Sequence, residues 1–241
     1  DRVAIVTGGT DGIGYATARQ LARLGMHVII AGNNDSKAQD VVRRLKEETS
    51  NDKVEFLYCD LASLTSIRQF VQKFKKKKIP LHVLVNNGQV RDAGRRQVHH
   101  RLTRVPLCPP SRCYSPHGAY AQSKLALVLF TYHLQRLLAA QGSPVTANVA
   151  DPGVVDTDLY RHVFWGTRLI QKMLGWWAFK TPDEGAWTSV YAAVTPDLEG
   201  IGGRYLYNEK ETKSLMLTYD RDLQRQLWAI SCQMTSITDV T

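Results

Sequence analysis

The sequence predicts an α/β fold in which helices cover both faces of a parallel sheet. Short β-branched runs alternate with amphipathic segments of helix length along most of the 241 residues. A glycine-rich turn follows the first run, at the point where a strand would pass into a helix. With 44% hydrophobic residues the chain can bury one substantial core, so we expect a single domain.

Four runs in the first third of the chain are predicted as strands. They are nearly continuously apolar, which is typical of strands that are buried on both faces of a sheet. The four predicted strands are Val3 to Thr7, His27 to Ala31, Val54 to Tyr58 and Leu81 to Asn86.

Helices are predicted in the gaps between these strands and again in the second half of the chain. The first spans Gly12 to Leu24 and ends at Gly25, while the next two begin after cap signals at Asp35 and Ser63. The later predicted elements are a helix from Gly118 to Ala140 and strands from Val145 to Ala150 and from Arg204 to Tyr207.

The turn after the first strand reads TGGTDGIG and spans Thr7 to Gly14. Its glycines would let the backbone approach a pyrophosphate at the positive end of the following helix. A tight strand-to-helix turn that binds no ligand would have the same composition. The motif therefore needs support from elsewhere in the sequence.

Polar residues at the ends of two later strands give that support. Asp60 follows the third strand, and Asn86 and Asn87 follow the fourth. Because the carboxyl ends of parallel strands meet at one edge of a sheet, a nucleotide could lie across all of them. Each residue alone could equally cap a helix or form a turn.

Tyr120 and Lys124 lie four residues apart in the long predicted helix, and therefore on the same face of it. A phenol beside an ammonium group can exchange a proton with a substrate oxygen, because the cation favours the phenolate. Lys124 could also hold a ribose hydroxyl. Taken alone, the pair could be two neighbours on a solvated surface.

Charge and cysteine usage count against other classes of function. The net charge is +9, of which +5 comes from an arginine-rich stretch between Gly88 and Gly118. No aromatic stacking platform or DNA-reading motif accompanies these arginines, so no nucleic-acid partner is predicted. The four cysteines lack metal-ligand spacing, so no metal site is predicted either.

The order of these motifs resembles the short-chain dehydrogenase/reductase family, near its retinol-dehydrogenase-like group. The resemblance covers roughly residues 1–87 and 113–241. It rests on TGxxxGxG, Asp60, the Asn86–Asn87 pair, the Tyr-x-x-x-Lys pattern at Tyr120, and Pro152–Gly153. It implies a Rossmann-type doubly wound parallel sheet and an NAD(P)-dependent oxidoreductase that acts on CH–OH groups.

The resemblance also implies a role for each motif. The residues implied to bind the dinucleotide are Gly8, Gly12, Ile13 and Gly14, with Asp60 on the adenine side and Asn87 on the adenosine ribose. Tyr120 would be the catalytic acid and base, and Lys124 would orient the nicotinamide ribose and stabilise the phenolate. Thr157 would help to hold the nicotinamide end.

The choice between NAD and NADP depends on the residue after the second strand. Asn33 falls where close relatives carry an arginine. Its neutral amide neither repels a 2′-phosphate nor pairs with it as a guanidinium group would. Either cofactor, or both, is therefore expected.

Residues 88–117 depart from the family pattern. Only 33 residues separate Asn86 from Tyr120, and four of them are prolines, whereas a strand-crossover-strand unit takes about 30 residues or more. We therefore expect the fifth strand and the fourth helix to be missing or irregular. The family's catalytic serine has no matching position, because Ser111 and Ser115 lie too close to Tyr120.

The predicted organisation is one domain over residues 1–241. Residues 1–87 form its dinucleotide-binding half, residues 88–117 are the atypical segment, and residues 118–241 carry the catalytic helix and a substrate lid. Within that last part the stretch from Leu159 to Phe179 is rich in aromatic residues. Such a stretch suits an apolar pocket or a membrane interface, and equally a helix packed on the core.

Two functions remain open on the sequence alone. The first is interconversion of a lipophilic alcohol and its aldehyde or ketone; the resemblance implies a polyisoprenoid alcohol such as polyprenol or dolichol, ahead of retinoids or steroids. The alternative is an inactive variant that binds cofactor or a partner without turnover. By resemblance the protein is expected at the endoplasmic reticulum or another membrane surface, with any N-terminal anchor or signal absent from this chain.

Overall fold

The computed structural model describes residues 2–88, 116–153, 155 and 180–237. Contacts along the backbone divide the chain into two compact units. We call the first the sheet unit; it comprises Asp1–Val90, Asp151–Val194 and Tyr207–Glu209. We call the second the helical unit; it comprises Arg91–Ala150, Thr195–Leu206 and Lys210–Thr241.

The sheet unit is built around a parallel sheet with strand order β3-β2-β1-β4. In register, Val3 lies opposite His27, and Ala4 lies between Val28 and Val83. The elements of this unit are β1 (Val3–Thr7), α1 (Gly12–Arg23), β2 (His27–Gly32), α2 (Asp35–Thr49), β3 (Val54–Tyr58), α3 (Leu64–Lys76) and β4 (Val83–Val85), followed further along the chain by a helix over Pro182–Val194.

Helices cover both faces of this sheet. On one face, buried side chains of α1 and α2, such as Leu21 and Leu45, pack on the sheet together with Val190 of the helix over Pro182–Val194. On the other face, Phe70 of α3 packs against Val3 and Ile5 of β1, among others. Alternate residues of β1 thus enter two different cores, as the period of a strand requires.

Polar caps fix where the helices of this unit begin. The Asp11 side chain accepts a hydrogen bond from the Gly12 amide at α1. Asn34 accepts one from Lys37 at α2, and Ser63 accepts one from Ser66 at α3. Each cap satisfies a backbone N–H that has no partner inside its own helix.

The fourth strand is shorter and more exposed than the sequence predicts. It covers only Val83–Val85, and the Leu84 side chain is 51% exposed. Val83 and Val85 face the core that α1 and α2 cover, so Leu84 points to the opposite face. Among the described residues α3 is the helix that covers that face, and its core does not include Leu84.

The helical unit contains a long helix packed against a shorter one. Buried Leu129 of the long helix meets Leu223 and Leu227 of the shorter one. The further elements of the chain are α4 (Pro116–Ala140), β5 (Val149–Asp151), α5 (Pro182–Val194), a 3-10 turn (Pro196–Leu198), β6 (Tyr205–Tyr207), β7 (Lys210–Thr212), a second 3-10 turn (Met216–Tyr219) and α6 (Arg221–Thr235).

The strand predicted from Val145 to Ala150 begins later, at Val149. Hydrogen bonds from side chains occupy the stretch just before Val149. The Ala147 amide donates to Gln135 Oε1 at 2.6 Å, and the Asn148 side chain bonds the Ile201 carbonyl and the Arg204 amide. β5 pairs with β6 in a three-stranded sheet of order β5-β6-β7. The sequence analysis missed β7, which follows a two-residue turn with positive φ at both positions.

The α/β class and the doubly wound parallel sheet are confirmed. Within the described ranges the parallel sheet has four strands. Nearly all of the segment 88–117 lies outside these ranges, so the expectation of a missing or irregular fifth strand and fourth helix stays a prediction. The division into 1–87, 88–117 and 118–241 also stays a prediction.

Glu48 at the end of α2 offers a test of the packing between α1 and α2. Its carboxylate accepts hydrogen bonds from the Tyr15 hydroxyl at 2.9 Å and from Arg19 at 3.3 Å, and Arg44 lies 3.5 Å away. Burial alone would raise the pKa of Glu48. The hydrogen bonds and the nearby cations lower this pKa by more than burial raises it, so the net shift is downward.

We expect Glu48→Gln to lower the free energy of unfolding by about 1 kcal/mol at neutral pH. Since folding lowers the pKa of Glu48, the stabilisation by its carboxylate is fully present above the pKa of glutamate in the unfolded chain, about 4.3. This stabilisation is lost as the pH falls below that value and through the folded pKa. Chemical denaturation at several pH values checks this. Glu47→Gln, which removes only a surface pair with Arg43, is the control, and an equal loss in both variants at all pH values would contradict the prediction.

Candidate active site and cofactor cradle

The glycine-rich turn between β1 and α1 is held by hydrogen bonds to the neighbouring strands. Gly8 has φ +65°, which glycine adopts without strain, and its amide donates to the Ala31 carbonyl of β2 at 2.7 Å. The turn therefore starts in a fixed position at the carboxyl end of β1. The N-terminus of α1 follows directly, with Asp11 as its cap.

Gly14 lies where no side chain fits. A Cβ atom there would be 2.3 Å from the Gly8 carbonyl oxygen and 2.5 Å from the Asn87 amide nitrogen. Gly14 is also buried, in the first turn of α1. The helix can approach the turn this closely only because the residue is glycine.

Asn87 and Gly88 tie the turn to β4. The Asn87 side chain donates from Nδ2 to the Thr7 carbonyl at 3.1 Å, and the Gly88 amide donates to Thr7 Oγ1 at 2.9 Å. By these contacts Asn87 positions the glycine-rich turn. Contact with a ribose, the role implied for it by resemblance, stays a prediction.

The polar residues that follow β2 and β3 meet at the same edge of the sheet. Asn33 Nδ2 donates to Asp60 Oδ1 at 3.4 Å, and the same oxygen accepts from the Ala62 amide at 3.0 Å. The Asp60 amide donates to Ser66 Oγ at 2.9 Å, which fixes the loop before α3. The structure thus brings Asn33 and Asp60 together, beside the strand that carries the glycine-rich turn.

Sequence reasoning missed Lys37, in the first turn of α2. Its Nζ lies 3.9 Å from Asp11 Oδ2 at the N-terminus of α1, and its side chain is 61% exposed. An ammonium group at this place could contact an anionic group that approaches the helix N-terminus. The available signal was a basic residue five positions after the end of β2, close to Asn33.

Ile13 packs toward α5. A Cβ added at Gly185 of α5 would lie 3.4 Å from Ile13 Cγ1 and 2.6 Å from a methyl of Val155. α5 itself starts with a capping box in which Glu184 accepts from the Thr181 amide and hydroxyl. These hydrogen bonds, the backbone one first, lower the pKa of Glu184.

Tyr120 and Lys124 occupy one face of α4 in the helical unit. The Lys124 ammonium lies 5.4 Å from the centroid of the Tyr120 ring. The ring is 43% exposed, so a substrate can reach the phenol. Ser123 donates to the Tyr120 carbonyl at 2.7 Å, a bond along the helix that leaves the phenol unaffected.

The rest of α4 gives this pair a rigid support. Leu129 and His133 are buried, and Phe130 and His133 both lie against Trp228 of α6, with ring centroids 5.0 and 5.2 Å apart. Tyr132 donates to or accepts from Ser214 at 2.8 Å. Burial in this packed region raises the pKa of Tyr132 to about 12, so its phenol stays neutral.

Several predicted features fall on residues that the structure does not describe. Thr157 and the aromatic stretch from Leu159 to Phe179 lie outside the described ranges, as do Ser111 and Ser115. Pro152 and Gly153 are described, and the Gly153 amide donates to Asp151 Oδ1 at 2.9 Å.

The residues of the sheet unit fit a dinucleotide. Because residue 14 is glycine, no Cβ separates α1 from the glycine-rich turn. The backbone of the turn therefore lies next to the N-terminus of α1. Asn33 and Asp60 supply polar groups at the same edge of the sheet, where open parallel sheets bind such ligands. This is the arrangement that the sequence motif predicted.

Comparison with known proteins identifies the family. A model described as short chain dehydrogenase matches residues 2–104. Polyprenol dehydrogenase of Homo sapiens is 63% identical over 287 aligned positions, which take in 100% of this chain and 87% of that protein. The chain belongs to the short-chain dehydrogenase family. Its cofactor is accordingly a nicotinamide dinucleotide, and its reaction class is hydride exchange at a carbon that bears a hydroxyl group.

Two further relatives support this assignment. Retinol dehydrogenase 14 of Mus musculus is 33% identical, with 98% of this chain and 86% of that protein covered. A solved structure of an uncharacterised protein from Mycobacterium paratuberculosis superposes with a TM-score of 0.69 at 29% identity, covering 98% of this chain and 94% of the other.

The alignment with the human protein also reveals an internal difference. It extends over 287 positions but takes in a chain of only 241 residues. Within the aligned stretch, 46 positions therefore have no counterpart in this chain. That the shortage falls between Asn86 and Tyr120, where the sequence has too few residues for the family's elements, stays a prediction.

Substituting Gly14 tests the cofactor cradle. We expect Gly14→Ala to lower the free energy of unfolding by about 1–3 kcal/mol and to abolish the rise in melting temperature that NADPH or NADH gives, because its methyl group collides with backbone at Gly8. Thermal unfolding with and without dinucleotide measures both effects.

Gly32→Ala is the matched control, since a Cβ there meets only ordinary contacts of 3.6 Å and 3.7 Å. That variant should keep the cofactor response. A Gly14→Ala protein that still responds to cofactor like the parent would show that the cradle does not hold the dinucleotide.

Proposed function

We propose that this chain interconverts a long polyisoprenoid alcohol, such as polyprenol or dolichol, and its carbonyl product with NAD or NADP. The observation that carries the reaction is the Tyr120–Lys124 pair, with the ammonium 5.4 Å from the ring of an accessible phenol. Retinoids and steroids are the less favoured substrates. The related proteins named polyprenol dehydrogenase support the polyisoprenoid class, at 63% and 46% identity.

In this proposal Tyr120 moves the proton of the reaction. When the alcohol is oxidised, its hydroxyl proton passes to the Tyr120 phenolate, and in the reverse direction the phenol returns it to the carbonyl oxygen. Lys124 stabilises the phenolate through its positive charge and holds the nicotinamide ribose. The bound nicotinamide supplies the acceptor or donor of the hydride.

The binding of the dinucleotide is proposed for residues at the carboxyl edge of the sheet. Gly8, Gly12, Ile13 and Gly14 would hold the pyrophosphate side, and Asp60, Asn33 and Asn87 the adenosine side, with Thr157 at the nicotinamide end. Asn33 is neutral and is held by Asp60. Lys37 adds a cation near the same edge, which would suit the 2′-phosphate of NADP.

A lipophilic substrate implies that the protein works at a membrane surface. From the family resemblance of its sequence, we propose the endoplasmic reticulum or another membrane surface as its location. Within the described residues no helix combines the length and hydropathy needed to cross a bilayer. Surface association is therefore the form of membrane contact that we propose for the described part of the chain.

A second function is favoured by the 46 aligned positions of the human relative that this chain lacks. The serine that polarises the substrate carbonyl in the family has no matching position here. A chain that keeps the glycine-rich cradle but loses that serine could bind the dinucleotide without turning over an alcohol. In that case the protein would act through binding alone.

Thermal unfolding with each cofactor tests the dinucleotide binding that both functions require. A ligand that binds only the folded chain must raise the unfolding midpoint, and the rise grows with the ratio of ligand concentration to the dissociation constant. We expect both NADH and NADPH to raise it by several degrees at saturating concentration. No cooperative transition, or none that responds to either cofactor, would rule out both the dehydrogenase and the binding form.

The catalytic assignment is tested by Tyr120→Phe, which should lower turnover of polyprenol about a thousandfold or more while leaving the cofactor-induced thermal shift intact. Tyr132→Phe on the same helix is the control. It removes a phenol that bonds Ser214 and should cost about 1 kcal/mol of stability with turnover retained. Turnover that survives Tyr120→Phe contradicts the assignment, and cofactor binding without turnover in the unaltered chain supports the inactive form.

A further inference from the structure

Three consecutive large apolar side chains are exposed in the helical unit, before α6. Leu215 is 72% exposed, Met216 is 83% exposed and Leu217 is 41% exposed. We call these three residues the apolar tip. A folded chain gains nothing from holding such side chains in water, so a run of this kind marks a contact with another apolar phase or partner.

The backbone of the tip is fixed by polar groups that face inward. Thr218 is buried, its hydroxyl donates to the Leu215 carbonyl at 2.6 Å, and its own carbonyl accepts from Gln224 Nε2 at 2.5 Å. Ser214 Oγ lies 2.6 Å from Thr218 Oγ1 and 2.8 Å from the Tyr132 hydroxyl. The segment therefore turns Thr218 and, in part, Ser214 inward and presents its apolar side chains to water, the reverse of an ordinary surface turn.

An aromatic side chain closes the base of the tip. Tyr219 stacks on Tyr132 with ring centroids 5.5 Å apart, and its hydroxyl accepts from the Ser214 amide at 3.2 Å. Its ring is still 46% exposed. An amphipathic ring in this position suits the boundary between an apolar phase and water.

The cations near the tip in the sequence outnumber the carboxylates by one, but most of these carboxylates are already engaged. Glu211 pairs with Arg204 at 2.8 Å, Asp222 pairs with Arg225, and Asp220 caps α6. Among the described residues, Glu209 has neither an ion-pair partner nor a helix-capping role. The cations in the same stretch that pair with no carboxylate among the described residues are Lys210, Lys213 and Arg221.

A cleft of about 370 Å³ adjoins the tip and shares Lys213 and Tyr219 with its flank. Tyr132 and the Arg204–Glu211 ion pair line the same cleft, so one N–H group of the arginine is already taken by a carboxylate. A guanidinium group, an ammonium group and two phenols can all donate hydrogen bonds to phosphate oxygens. The cleft could therefore receive an anionic headgroup while the tip enters the apolar layer behind it.

We propose that residues 213–219 dock the protein on an anionic lipid surface, with Leu215, Met216 and Leu217 inserted among the acyl chains. Lys213 and its neighbouring cations would then contact the headgroups. A lipid surface is favoured over a protein partner because the three side chains project from a single-turn 3-10 segment and its cap, and a soft apolar layer accepts such a projection without a matching groove. The excess of unpaired cations beside the tip adds charge complementarity.

This proposal deepens the membrane association stated above by naming the surface that makes the contact. Its test requires no turnover and no cofactor, so its outcome is independent of whether Tyr120 is catalytic. A protein that binds vesicles but does not oxidise polyprenol would support the docking surface and contradict the dehydrogenase. A protein that oxidises polyprenol but does not bind vesicles would support the dehydrogenase and contradict the docking surface.

The experiment is co-sedimentation of the full chain with two kinds of vesicle, phosphatidylcholine alone and an equal mixture of phosphatidylcholine and phosphatidylserine. We expect binding to the anionic vesicles, and a loss of at least about tenfold in affinity when Leu215, Met216 and Leu217 are all replaced by Ser. Lys213→Glu should weaken binding to the anionic vesicles and leave the weak binding to neutral ones unchanged. Leu24→Ser, at a 59% exposed leucine of the sheet unit, is the control and should bind like the parent.

Thermal unfolding of each variant verifies that the chain is still folded, which is expected because the substituted side chains are largely in water. Three outcomes would overturn the proposal. The parent could fail to bind anionic vesicles, or the triple variant could bind them as well as the parent does. Finally, the parent could be a dimer that the triple variant converts to a monomer, in which case the tip contacts a second copy of the chain.

Discussion

The approach of α1 to the turn after β1 is the contact on which the cofactor end of the sheet unit depends. Gly14 packs against the Gly8 carbonyl and the Asn87 amide at distances that exclude even a methyl group. The same Asn87 amide bonds Thr7, and Gly88 bonds the Thr7 hydroxyl, so β1, β4 and α1 meet at one point. A change at this point would disturb the helix dipole, the backbone donors and the strand ends together.

The chemistry of the family needs a second, separately supported group. Tyr120 and Lys124 stand on α4, whose remaining length is packed against α6 through Leu129 and the ring contacts of Trp228. Apolar packing further along the same helix thus offsets the cost of holding the exposed Tyr120 and the half-buried Lys124 in place. The helical unit also fixes the apolar tip, because Tyr132 of α4 bonds Ser214 and stacks on Tyr219.

The exposure of Leu84 relates the fold to the missing length of chain. Its two neighbours, Val83 and Val85, are covered by α1, α2 and α5, whereas Leu84 faces the side that α3 covers only over the other strands. In the family the elements between β4 and the Tyr-bearing helix would belong there. This chain has 46 fewer residues than its alignment with the human relative spans. We expect that shortage to fall between β4 and α4, where it would leave the Leu84 side of β4 without the burial that stabilises an apolar strand.

The order of elements up to β4 can be predicted from the sequence, because apolar runs of strand length and capped amphipathic helices are local patterns. The sequence also predicts a dinucleotide site at one edge of the sheet, since Gly8, Asp60 and Asn87 follow the ends of parallel strands, which lie side by side. Only the tertiary structure decided that Asn87 holds the turn through Thr7, that Lys37 reaches Asp11, and that β5 starts at Val149 rather than Val145. It alone revealed the apolar tip, because Leu215 to Leu217 look like core residues until the burial of Thr218 and its hydroxyl contact with Ser214 show which side faces inward. Such facts depend on contacts between residues far apart in the chain, which no local periodicity encodes.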